Sequence, residues 1–195
     1  MPSQRAASDA QKLRGSLSEL PEPVATPFLV MVSGLPGTGK SHFSRQLAEH
    51  LPCVVLNSDI LRKTLFPSPQ YTGPENQRLF SALEELIKSL LKSNIPVLVD
   101  ATNLVRRDRE RLYSIADRLS VKLVIVRVEA PQEVVQERLQ TRGEKADPED
   151  ASDADLTVYQ RMSSRVQRIH RNHFTVDTSK DITPVIRKII RELKR

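Results

Sequence analysis

From residue 28 onward, short apolar runs alternate with longer stretches in which apolar positions recur every three or four residues. The runs at 28–33, 53–57, 95–100, 121–128 and 173–177 are continuous rather than alternating, and they predict strands covered on both faces. Helical spacing predicts helices over 40–50, 58–65, 75–93, 105–118, 131–141, 155–171 and 181–194. The stripe Leu79, Leu83, Leu86, Leu90, Leu91 in the third of these reads as core. Strands and helices in strict alternation predict an α/β domain with a mostly parallel sheet and right-handed crossovers. The stretch Pro67–Pro74 reads as a loop by its proline and glycine content.

Composition narrows this picture. A chain of 195 residues is long enough for one domain with a full core. Val, Leu and Ile carry its apolar content and it has no Trp, which suits a sheet buried on both faces. Residues 1–27 are rich in Ala, Ser and Pro and mix both charge signs; they read as a flexible tail, with a short helix near Ala10–Leu20, and the domain as 28–195. No apolar run is long enough to cross a membrane, and no signal-peptide core follows Met1. The single cysteine, Cys53, sits in an apolar run, so the expected compartment is the reducing cytoplasm. The formal charge of +6 is concentrated between Asp155 and Arg195, where ten Lys/Arg face four Asp/Glu. Basic charge alone is weak support for nucleic acid, and a solvated basic helix face accounts for it equally well.

The chemistry is carried first by Gly34-Leu35-Pro36-Gly37-Thr38-Gly39-Lys40-Ser41, a complete G-x-x-x-x-G-K-[ST] phosphate-binding loop. It follows an apolar strand and opens a helix with Phe43 and Leu47 on one face, the setting the motif requires. Its glycines let backbone N–H groups approach phosphate oxygens, and the helix start adds its positive dipole end. Lys40 is expected at the β- and γ-phosphates, Ser41 on Mg2+, and His42 beside them in the helix's first turn. His42, His50, His170 and His173 have no metal-binding spacing.

Three further clusters surround the loop. The run Ile95–Asp100 is a strand ending in a carboxylate, on the edge where parallel sheets bind ligands; Asp100 is a candidate second metal residue. Thr102 and Asn103 follow, either to orient an acceptor or to cap the next helix. Asn57-Ser58-Asp59-Ile60-Leu61-Arg62 closes the second strand and opens a helix. There Asp59 can accept a proton from an attacking hydroxyl, or merely favour the helix dipole, and Arg62 can hold an anion. Arg138 and Arg142 share a helix face, the first suited to stacking on adenine and the second to reaching the phosphates as an arginine finger. An acidic stretch from Gly143 to Asp155, without apolar periodicity, suggests a mobile lid over about 142–155. Arg161, Arg165, Arg168 and Arg171 recur at helical spacing as a stripe that faces either solvent or the cleft. Asp177–Lys180 is expected to cap the last helix.

Together these motifs resemble the P-loop kinases that include phage-type polynucleotide kinase and the zeta-toxin-like kinases. The resemblance covers about Phe28 to Lys194. Ser58-Asp59-Ile-Leu-Arg62 is similar to that group's D-x-x-R element, whose Asp is the general base and whose Arg holds the acceptor phosphate. Asp100-Ala-Thr102-Asn103 resembles its D-x-T-N or D-T-N segment, and Arg138–Arg142 its entry to the lid. The resemblance implies a three-layer P-loop NTPase fold, with five parallel strands, helices on both faces and a mobile lid. It also implies phosphoryl transfer from ATP with Mg2+ to a hydroxyl acceptor. A polynucleotide 5′-hydroxyl at a single-stranded end is one such acceptor; a small metabolite, nucleotide sugar or aminoglycoside is the other. A nucleotide-binding switch with slow hydrolysis is the alternative outside the enzymes.

Overall fold

A computed structural model describes residues 4–144 and 154–195, the side chains of 142–144 excepted. Its sheet holds β1 (Phe28–Ser33), β2 (Val54–Asn57), β3 (Val97–Asp100), β4 (Lys122–Glu129) and β5 (Phe174–Asp177), in the order β2-β3-β1-β4-β5 and all parallel. The helices are α1 (Gln4–Gly15), α2 (Lys40–Ala48), α3 (Ser58–Leu65), α4 (Gly73–Lys92), α5 (Arg106–Leu119), α6 (Gln132–Glu144), α7 (Leu156–Ser163) and α8 (Thr183–Leu193).

The continuous apolar runs are explained by the two cores they feed. Leu29 and Met31 of β1 join Val97, Val99 and Ile125 beneath α3, α4 and α5. Phe28, Val30 and Val32 point the other way, to Leu98, Val124 and Val126 beneath α2 and α8. Successive strand residues alternate faces, and here both faces are covered. The loop after β1, the end of β3 and the start of α3 therefore meet at one carboxyl edge of the sheet, with β1 and β3 adjacent.

Two expectations give way. The segment expected as a flexible tail with a short helix near Ala10–Leu20 carries α1 over Gln4–Gly15 instead, and this helix docks on α4 through Ala6, Ala10 and fully buried Leu13. Asp9 of α1 accepts two bonds from Arg78 of α4, both of 2.7 Å. That guanidinium also lies over the Phe66 ring. The helix expected over 155–171 ends at Ser163. Asp155 caps its start by accepting the Val158 N–H. Beyond it, the carbonyls of Gln167 and Arg168 accept from the buried Arg109 guanidinium instead of from a following helical turn. The expected arginine stripe is thereby dispersed: Arg161 stays on α7, Arg165 and Arg168 are exposed on an extended strap, and Arg171 forks onto Asp117. No helix among the described residues is long and apolar enough to cross a membrane.

Candidate active site

Gly37 and Gly39 take φ values of 78° and 85°, the left-handed region that glycine enters without steric cost. Gly34 serves a different need: a Cβ there would lie 2.4 Å from the Val128 carbonyl oxygen. The loop is gripped from both sides. The Gly34 N–H donates to the Thr102 carbonyl at 3.0 Å. Arg138 of α6 donates to the Thr178 hydroxyl and carbonyl, at 2.8 and 3.0 Å, and more distantly to the Gly37 carbonyl. The Thr178 hydroxyl in turn donates to the Thr38 carbonyl. Thr38 Oγ1 and Lys40 Nζ both donate to the Leu35 carbonyl. Leu35 is half-buried and Pro36 buried within the loop, while His42 is exposed on α2.

Beside the loop, residues distant in sequence converge on one carboxylate. Asp100 Oδ2 accepts from Ser41 Oγ at 2.8 Å and from Asn57 Nδ2 at 2.8 Å, in a residue only 3 % exposed. Asn57 has a second task, its Oδ1 capping α3 by accepting the Asp59 and Ile60 N–H groups. A single hydroxyl and a single carboxylate is a donor set suited to Mg2+, which retains waters and phosphate oxygens as its other ligands. Among the described residues no cluster of three or more His, Cys, Asp or Glu is poised to hold a metal by itself.

Asp59 is half-buried in the first turn of α3. One turn on, Arg62 is buried, 5 % exposed. Its Nη2 donates to Asn76 Oδ1 at 2.6 Å, Glu75 lies 3.9 Å from Nη1, and the Tyr71 ring packs 4.9 Å from the guanidinium. Its Nε and Nη1 are buried without any hydrogen-bond partner. The loop that presents Tyr71 is built for this, since the Gln70 N–H donates to both Glu75 oxygens and Tyr71 itself takes φ 53°. Glu75 and Asn76, in the first turn of α4, were not legible as site residues; for Tyr71 the only signal was that its proline-rich loop follows the second strand–helix unit.

Other candidates lie elsewhere. Asn103 departs from the acceptor role expected of it: it is buried at φ 44°, and its Nδ2 donates to the Val32 carbonyl at 2.7 Å. Thr102 contributes its carbonyl, which also accepts from Ser33 Oγ. Asp177 does not cap α8. It folds the turn after β5, where the Ser179 hydroxyl and N–H and then Lys180 hold its carboxyl down at about 2. Asp181 instead accepts the Thr183 N–H at the start of α8. Burial pushes the Cys53 thiol up to about 12, which removes it as a nucleophile. Arg142 lies on α6, but its side chain and the expected lid as far as residue 153 fall outside the described residues.

Residues 29–169 match a family model described as an AAA domain. Over 122 residues the chain is 29 % identical to the L-seryl-tRNA(Sec) kinase of Methanococcus maripaludis, covering 60 % of this chain and 47 % of that protein. Over 112 residues it is 28 % identical to an adenylyl-sulfate kinase of Myxococcus xanthus, covering 55 % of this chain and 60 % of that protein. It thus spans about half the length of these relatives. The fold is shared with the Mycobacterium tuberculosis APS kinase solved with AMPPNP and APS, at a TM-score of 0.67 and 17 % identity, covering 89 % of this chain and all of that one.

Proposed function

For a chain that belongs to the AAA domain family, we propose an ATP-dependent kinase that phosphorylates a hydroxyl on an anion-bearing acceptor. The nucleotide half of this reading is supported by the loop and by the kinases that the chain resembles. ATP phosphates would lie along the N–H groups of residues 34–41, with Lys40 at the β/γ-phosphates. Ser41 and Asp100 would hold Mg2+, which neutralises charge developing on the phosphates. Arg138, on the Thr178 turn, is suited to border the base, and Arg142 to reach the transferring group.

The acceptor half rests on one observation: Arg62 keeps two buried guanidinium nitrogens without hydrogen-bond partners, one of them only loosely paired with Glu75 at 3.9 Å. A buried donor left unmet costs about 1–3 kcal/mol, and more when charged. An acceptor phosphate, sulfate or carboxylate on Arg62 would remove that cost and carry its hydroxyl toward Asp59. In the transfer, the acceptor oxygen bonds the γ-phosphorus, the bond to the β–γ bridging oxygen breaks, the acceptor proton goes to Asp59, and ADP leaves. A cationic aminoglycoside fits this wall poorly. Both a polynucleotide 5′ end and a small anionic metabolite fit it, the first also supported by exposed Arg161, Arg165 and Arg168. A cytoplasmic setting accords with the half-buried free thiol of Cys53.

The test is transfer of γ-labelled phosphate from ATP into a panel of 5′-hydroxyl oligonucleotides, nucleotides, phosphorylated and uncharged sugars, and aminoglycosides. Label on an anionic acceptor, lost in Asp59→Asn by about 100-fold or more while ATP affinity is kept, is the expected outcome. Label appearing only as free phosphate overturns the kinase reading in favour of a switch. Transfer by Asp59→Asn at the wild-type rate removes Asp59 as the base.

A further inference from the structure

Arg109 is a fully buried cation. Its guanidinium is spent on four backbone carbonyls in two segments far apart in sequence. Nη1 donates to Asn103 and Leu104, at 3.0 and 2.7 Å, and Nη2 to Gln167 and Arg168, at 3.0 and 2.9 Å. If only core filling were needed, an apolar side chain of similar volume would serve as well or better. The positions of the four carbonyls are what distinguish this residue.

The first pair belongs to the turn that directly follows Asp100. That turn holds Asn103 at a positive φ, and it is the turn on which the phosphate loop is founded. Ser33 Oγ donates to the Thr102 and Asn103 carbonyls, and the Gly34 N–H to Thr102. The second pair belongs to the strap that returns from α7. The strap is pinned to the same turn by the Gln167 N–H on the Leu104 carbonyl and by Gln167 Oε1, which accepts the Arg106 N–H. Val166 and Ile169 of the strap and Leu35 of the loop line one cavity of about 450 Å³. Arg109 therefore sits where strap, Asp100 turn and phosphate loop meet, and it bonds two of the three directly.

We propose that Arg109 is a positioning residue, a clamp that sets the Asp100 turn and the base of the phosphate loop by tying them to the strap after α7. The inference rests on the reading of Ser41 and Asp100 as the Mg2+–nucleotide edge. A guanidinium fork can hold two carbonyl pairs at once; a lysine ammonium cannot span them. Removing the fork loosens the turn from both sides, so the metal edge loses its set position although no metal-facing group has changed.

The experiment measures binding of a fluorescent ATP analogue with and without Mg2+, and amide exchange, in full-length wild type, Arg109→Lys, Gln167→Ala and the core control Ile115→Val. In Arg109→Lys the Mg2+ enhancement of binding should fall about tenfold, as when groups behind metal ligands are removed. The Gly34 and Gln167 amides should exchange faster together in that variant. Gln167→Ala, an exposed change that cannot upset the core, should shift the same readouts by about two- to threefold. Ile115→Val should lower the Tm without changing the Mg2+ enhancement. Wild-type Mg2+ enhancement in both Arg109→Lys and Gln167→Ala overturns the clamp, as does a Gly34 amide that stays protected while Gln167 is released. If Arg109→Lys does not fold, Gln167→Ala decides alone. A wild type whose binding does not respond to Mg2+ overturns the nucleotide-edge reading, and the clamp with it.

Discussion

The two walls of the candidate site handle polar groups in opposite ways. On the loop side every key group is met from within: Ser41 and Asn57 on Asp100, Lys40 on the Leu35 carbonyl, Arg138 on Thr178. On the α3–α4 side the protein buries Arg62 and leaves two of its nitrogens unmet. The first wall keeps its shape without a ligand and needs only to exchange internal bonds for phosphate and metal. The second carries a standing cost that a ligand can relieve. Preorganisation and ligand dependence are thus divided between the two walls, and substitutions should move stability and function in different directions on each.

The sharpest break of that contrast is Arg62→Met. It removes a buried charge and two donors without hydrogen-bond partners, but also the bond to Asn76 and the pairing with Glu75, so the two effects oppose each other and the Tm should change little. Use of an anionic acceptor should fall about 100-fold in kcat/KM, because a charge-assisted bond in a buried site is lost. Thermal unfolding and steady-state kinetics on one preparation check both. A large drop in Tm would mean that Arg62 is structural and that the wall does not await a ligand.

On the loop side the converse holds. Asp100→Asn keeps the shape but removes a negative charge from a place where Ser41 and Asn57 both donate. Stability should fall by about 1–2 kcal/mol as two charge-assisted bonds become neutral ones. The Mg2+ needed for half-maximal nucleotide binding should rise about tenfold. Titration with Mg2+ at fixed nucleotide measures this, and an unchanged requirement would take Asp100 out of the metal edge.

What the sequence disclosed follows the same division. The loop side is written locally: strand, glycine loop and helix lie consecutively, and a carboxylate at the end of an apolar strand is visible without a fold. Asp59 and Arg62 were legible as a pair for the same reason. What was hidden depends on partners brought from afar. Helix α7 does not run on through 167–171, where the Gln167 and Arg168 carbonyls accept from Arg109, about sixty residues upstream. Asn103 looks like a free polar residue until its backbone turns left-handed and its amide finds the Val32 carbonyl. Helix α1 was read near Ala10–Leu20 rather than over Gln4–Gly15, and its docking was obscured because its buried face is Ala6, Asp9, Ala10 and Leu13, two small residues and a carboxylate among four. Only Arg78 on α4 makes that carboxylate belong there.

The Asp9–Arg78 pair yields the smallest expected effect and a way to sharpen the comparison, since α1 packs on the helices that carry the unmet wall. The Arg78 guanidinium holds the Asp9 carboxyl below its ordinary value, first through the bidentate hydrogen bond and then through its charge. A carboxyl depressed in the folded state adds stability that is fully present above its unfolded value of about 3.9 and is lost as pH falls through the folded one. Asp9→Asn should therefore cost about 1–2 kcal/mol at neutral pH. The difference from wild type should shrink as pH drops below about 4, where the unfolded wild-type carboxyl takes up its proton, and end below the depressed folded value, where the folded one is neutral as well. Denaturant unfolding of both proteins between neutral and acid pH checks this. If α1 supports only the acceptor wall, Asp9→Asn should raise the acceptor KM two- to threefold and leave nucleotide affinity untouched. An equal change in both would mean that the two walls share one mechanical unit.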